Sequence, residues 1–220
     1  METETPVLLK PIAIKVILVI VFIWLIKGVE LLFNIDFSSY GIYPQEMDHL
    51  IGILVAPLLH GSFEHLLSNT LALFILITAL FYEYPRSAKW TLFIIYIGSG
   101  IGVWLFARQA HHLGASGLTH GLMFFLFIIG VIRRDKPAMA LSMIVFFLYG
   151  SMVWGVLPTK EEISFETHLF GALMGVICAI IFRHRDPKPI EKVYSWEEEG
   201  FEDENAQQQD REEVLYIDEK

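Results

Sequence analysis

The chain predicts an all-α polytopic membrane protein, a bundle of six transmembrane helices with a membrane-associated first loop. Three observations carry that expectation. Hydrophobic residues make up 54% of the 220, and the mean hydropathy of +0.51 is too high for an ordinary water-soluble domain. Six separate apolar runs each approach the roughly 20 residues that a helix needs to cross a hydrocarbon core. Basic residues gather in every second loop, the pattern expected where alternate loops face the cytoplasm.

The spans fall at about 12–33, 65–82, 90–107, 116–132, 138–157 and 166–183. Residues 1–11 form a short N-terminal segment, and the apolar run behind them is longer than the core of a cleaved signal. Lys15, Lys27 and Glu30 lie near the ends of the first span, where long side chains snorkel to the interface. The loop at about 34–64 is long. Its stretch from Leu50 to Leu59 is too short to span and reads as a re-entrant or interfacial helix. Gly98 and Gly102 mark helix packing on the third span, and Cys178 reads as a small core residue. Residues 12–185 thus form one helical domain. The segment 186–220 reads as an acidic, disordered cytoplasmic tail, since residues 191–220 hold twelve acids and three bases. That imbalance equals the net charge of −9, so the membrane part is formally neutral. Nothing resembles a basic nucleic-acid surface.

Arg86 and Lys89 follow the second span, Arg133, Arg134 and Lys136 the fourth, and Arg183, Arg185 and Lys188 the sixth. This bias places both termini in the cytoplasm. The second, fourth and sixth spans then all enter from the outer face. His65 and Asn69 open the second, Ser116 the fourth and His168 the sixth. Polar residues inside a membrane are costly without partners and mark functional sites. Their shared depth suggests hydrolysis within the outer part of the bilayer.

Ser116 sits among Gly114, Ala115 and Gly117, at a helix start whose free N–H groups suit a developing oxyanion. Serine is equally a common N-cap, and spacing alone does not separate the two roles. A nucleophilic serine needs a base, and His168 is the candidate. Gly171 and Gly175 follow His168 at i+3 and i+7, and Gly117 and Gly121 follow Ser116, so the two helices have small surfaces for close packing. No carboxylate inside a span completes a triad, so a dyad is expected. His65 and Asn69 share one helical face and suit the oxyanion side. His60 is placed to brace the first loop. His60 and His65 lack the further ligands of a metal site, and no metal or cofactor is expected. His111 and His112 read as wet loop residues.

These motifs resemble those of the rhomboid intramembrane serine proteases. His60-Gly-Ser-Phe-Glu-His65-Leu-Leu-Ser-Asn69 is similar to the family's HxxxxHxxxN, Gly114-Ala115-Ser116-Gly117 to its GxSG, and His168-Leu-Phe-Gly171-Ala-Leu-Met-Gly175 to its HxxGxxxG. The resemblance covers about residues 11–185. It implies a Ser116–His168 dyad, assistance from His65 and Asn69, and an outward-opening aqueous cavity. It implies single-pass membrane proteins as substrates, cut in or near a transmembrane helix, with access gated by the fifth helix and the loop at about 154–165. Two features depart from the family pattern. His120 stands where many members carry a tyrosine that stacks under the catalytic histidine, and the first loop lacks a Trp-Arg pair. An ionisable ring at position 120 bears on pH behaviour and marks His120 as a tuning or cavity residue. The alternative reading is a catalytically inactive relative that binds membrane clients. An outward-facing site with cytoplasmic termini fits a bacterial plasma membrane.

Overall fold

The computed structural model describes residues 8–158 and 164–188. Residues 1–7, the central part of the expected gating loop and the acidic tail from 189 onward lie outside the described residues. Among the described residues, six helices are long and apolar enough to cross a membrane. They are α1 (Leu9–Phe33), α3 (Phe63–Glu83), α4 (Ala88–Phe106), α5 (Ser116–Arg133), α6 (Lys136–Tyr149, its span running on to Val156) and α7 (Phe165–Phe182). A single turn, α2 (Gly52–Val55), lies in the first loop with three-residue 3-10 turns on either side, so the Leu50–Leu59 run forms short helical pieces and no span. The fifth span is the one that departs from a plain helix. After Gly150 it tightens into a 3-10 turn, Gly150–Val156. No strand occurs among the described residues; Ile42 and His112 form one isolated antiparallel bridge.

Local chemistry sets the helix starts. The Ser62 hydroxyl caps α3 by accepting from His65 N at 3.1 Å. Asp135 accepts from Ala138 N at 3.1 Å, and Pro137 sits in the first turn of α6. The Ser164 hydroxyl accepts from Thr167 N at 3.4 Å at the start of α7. The apolar residues left exposed on α1 and α6, such as Phe22, Leu25, Phe146 and Phe147, form the lipid-facing surface.

α5 is the centre of the bundle, and its buried residues run from Ser116 to Arg133. Its glycines lie directly against those of α7. A Cβ on Gly171 would strike the Gly117 carbonyl oxygen, and one on Gly175 the Gly121 carbonyl oxygen. On α4, Gly98 receives Met174 and Gly102 receives Phe170, both from α7. Leu122, Phe125, Leu126, Ile129 and Cys178 are closed off around this contact.

Lys27 and Glu30 behave differently from the snorkelling expected of them. Lys27 Nζ donates to Glu30 Oε2 and to the His60 carbonyl, both at 2.9 Å. Glu30 Oε1 accepts from Phe37 N at 3.1 Å. Both charges are largely buried, and the pair fastens the first loop to α1. The reason is local: a paired and hydrogen-bonded charge is tolerated where a lone one is not. At the opposite end, buried Asp186 accepts from Arg86 N at 2.7 Å and Ser87 Oγ at 2.5 Å. Arg133 donates to Asp135 and to the carbonyls of Asp186 and Pro187. These bonds tie together the far ends of α3, α4, α5 and α7.

The glycine contact makes a direct expectation. Gly175→Val forces the side chain onto the α5 backbone and lowers stability by about 3 kcal/mol. Thermal unfolding in detergent measures it; wild-type stability in that variant would mean that the helices part without cost.

Candidate active site

The turn leading into α5 is built from backbone outward. Gly114 has φ +109°, which L side chains rarely adopt, and the His65 ring occupies the space where its Cβ would stand. The first loop carries this turn. Gly114 N donates to the Ala56 carbonyl at 2.9 Å, and Ala115 N donates to His60 Nε2 at 3.4 Å. Ile42 and His112 exchange both backbone bonds, at 2.9 and 2.8 Å. Ser116 is therefore the first helical residue after a turn held on one side by the loop and on the other by α7.

His168 lies one helical turn before Gly171, at the start of α7, and is 9% exposed. Its Nδ1 lies 2.9 Å from the Gly155 carbonyl. Its ring stacks on His120, with centroids 3.9 Å apart and planes 7° from parallel. His120 Nδ1 in turn lies 2.7 Å from the carbonyl of Ser116. No hydrogen bond joins Ser116 Oγ to His168 among the described residues. Catalytic hydrogen bonds are often long in ligand-free enzymes and tighten with substrate. The two residues are nonetheless linked through His120 and through the touching backbones of Gly117 and Gly171.

The remaining candidates fall around this pair. The His65 ring packs on Gly114 and edge-on to His60, with centroids 5.2 Å apart. Asn69 is buried, and its amide donates back to the His65 carbonyl at 3.1 Å, leaving a second N–H on the same nitrogen. His60 is buried between the loop and Ala115. Burial, with the neighbouring His65 adding to it, holds its imidazole down to a pKa of about 4. Among the described residues, no group of three or more His, Cys, Asp or Glu could hold a metal.

His112 is a correction to the wet-loop reading. It is 2% exposed. Its Nε2 lies 2.9 Å from the Arg108 carbonyl and its Nδ1 2.6 Å from Ser164 Oγ, which contacts Thr167 Oγ1 at 2.5 Å. His112 thereby links the first loop, the α4–α5 loop and the cap of α7. His111, by contrast, is exposed and stands beside Tyr43 and His49. Sequence had no way to separate two adjacent histidines whose partners are 52 residues apart or in other loops. Also missed was Glu166, which is buried and reaches Arg108 Nε at 3.5 Å.

His60 gives this site a pH dependence. Its folded-state pKa of about 4 lies below the ordinary 6.5, so the unfolded chain takes up the proton first. Stability therefore falls as pH drops from about 6.5 towards 4, and buried His112, also held low, acts in the same direction. His60→Gln keeps an acceptor for Ala115 N without titrating. Unfolding in detergent against pH should show a shallower acid slope in that variant, and an unchanged slope would remove His60 from the effect.

Comparison with known proteins bears on the family of the chain. The Rhomboid domain family model matches residues 47–185. The chain is 32% identical over 175 residues to an uncharacterized protein of Mycobacterium tuberculosis (strain ATCC 25618 / H37Rv), covering 74% of this chain and 73% of that one. It is 28% identical over 192 residues to an uncharacterized protein of Mycobacterium leprae (strain TN), covering 82% and 76%. A protein of Bacillus subtilis (strain 168), named "Putative rhomboid protease YdcA", is 28% identical over 139 residues, covering 58% and 65%. The domain match takes in more than half of the chain, including α3 to α7 and the turn that carries Ser116, and with six apolar helices the chain is an integral multi-pass membrane protein that belongs to the rhomboid family.

Proposed function

We propose that the protein is an intramembrane serine endopeptidase that cleaves single-pass membrane proteins in or near their transmembrane helix. The observation that carries the reading is the stacked His168–His120 pair seated on the carbonyl of Ser116, at the point where α5 and α7 touch. Ser116 Oγ attacks the scissile carbonyl while His168 takes its proton and later returns it to the leaving amine. The N–H of Ser116 at the helix start, with His65 and Asn69 from α3, receives the developing oxyanion. His65 and Asn69 are held on one face of that helix, beside the Gly114 turn. A helical substrate must unwind locally before its peptide bond is open to attack, because a helix in lipid satisfies its own polar groups. The loop charges favour cytoplasmic termini and a site towards the outer face of a bacterial plasma membrane.

Ser116→Ala and His168→Ala should each abolish cleavage of a model transmembrane substrate by folded protein. A fluorophosphonate probe should label wild-type Ser116. Cleavage at the wild-type rate by purified Ser116→Ala would defeat the proposal. A folded wild type that neither labels nor cleaves would favour the client-binding relative. Asn69→Ala should reduce turnover by about tenfold to a thousandfold. If only its stability changes, Asn69 is structural. Reporters placed after Lys188 and near Glu162 should read as cytoplasmic and external; the reverse would move Ser116 towards the inner face.

A further inference from the structure

Two imidazoles are stacked at this site, and each has one nitrogen committed to a backbone carbonyl. A carbonyl oxygen only accepts. His168 Nδ1 must therefore carry a proton to bond the Gly155 carbonyl at 2.9 Å. In the neutral ring that leaves Nε2 with its lone pair. His120 Nδ1, at 2.7 Å from the Ser116 carbonyl, is protonated for the same reason, and its Nε2 is likewise an acceptor.

Gly155 lies against both rings. A Cβ there would stand 2.8 Å from His120 Nε2 and 3.1 Å from His168 Nδ1. The 3-10 turn Gly150–Val156 can present its carbonyl to His168 only because residue 155 has no side chain. The same turn presses on the second ring, where buried His120 faces the backbone at Met152.

We infer that Gly155 is the positioning residue of the site, its carbonyl holding the His168 ring in the Nδ1–H tautomer so that Nε2 is free to act as the base. The inference rests on the Ser116–His168 reading above. It supplies the partner that a two-residue dyad otherwise lacks, in the role that a carboxylate fills in a triad. It also places that partner on a turn flanked by exposed Val153, Trp154 and Leu157. Lifting the turn breaks the His168 bond and removes the backbone of Met152 from His120. A competent base therefore requires the turn to be closed.

Histidine ¹⁵N spectra of the full chain in detergent test this directly, with the His168 signal identified by its loss in His168→Gln. The expected wild-type spectrum shows the proton on Nδ1. In Gly155→Ala the added methyl displaces the turn, the signal moves towards a mixture of tautomers, and fluorophosphonate labelling of Ser116 in the folded fraction slows about tenfold to a hundredfold. A wild-type proton on Nε2, or a folded Gly155→Ala protein with unchanged tautomer and labelling rate, overturns the inference. The wild-type spectrum decides the matter even if Gly155→Ala does not fold. Failure of wild-type Ser116 to label overturns the dyad itself; labelling with the wrong tautomer overturns only the role of Gly155.

Discussion

The contact on which the rest depends is backbone against backbone. Gly117 and Gly121 of α5 meet Gly171 and Gly175 of α7 with no room for a Cβ on the α7 side. In lipid there is little hydrophobic gain in bringing two helices together, so close van der Waals packing must supply the association. The register of this contact is also the register of the site. Ser116 precedes Gly117 by one residue, and His168 precedes Gly171 by one turn. A helix start and an imidazole are therefore delivered to the same end of the interface by residues with no chemistry of their own. Thr167 closes the arrangement, with its methyl 2.7 Å from the position of a Gly117 Cβ.

Around that axis the polar groups fall into two sets. One end holds the Lys27–Glu30 pair, His60, His65, His112 and the Ser116 turn; the other holds Arg133, Asp135, Asp186 and Ser87. Between them the core is Leu, Ile, Phe and Met. Such a division suits a membrane, because each polar cluster satisfies itself near an interface while the apolar middle crosses the hydrocarbon. The first loop belongs to the first set. It supports the turn before Ser116 through Ala56, His60 and Ile42, and Lys27 and Glu30 anchor that loop in turn. A charge pair on the first helix thus acts on the shape of a turn more than 80 residues away without touching it.

The helices were legible because apolar length is a strong signal, and each expected span lies within a few residues of a helix. The small-residue spacing after Ser116 and His168 was legible for the same reason: a helical period turns positions in the chain into a face. What the sequence concealed was partnership. Lys27 and Glu30 look like interfacial residues until the His60 carbonyl is placed beside them. His112 looks like its exposed neighbour until Ser164 and the Arg108 carbonyl are placed beside it. Gly155 has no signal at all, since its contribution is a backbone oxygen and an absent methyl group.

α6 completes the physical picture. It packs most tightly on α5 near its start, where a Cβ on Gly130 would stand 2.5 Å from the Ala138 carbonyl oxygen and from Ser142 Cβ, and Phe146 further along stacks on Phe127. Its buried residues, Ala138, Ser142 and Val145, all lie before Phe146. Beyond them Phe146, Phe147 and Leu148 are exposed, and the helix gives way to the 3-10 turn. The element is therefore pinned at the end that holds Arg133 and loosely held at the end that holds His168. Few buried apolar contacts mean a low local cost of opening. The division of labour follows from packing alone: α5 and α7 cannot separate without losing the glycine seam, whereas the outer half of α6 can move without disturbing it.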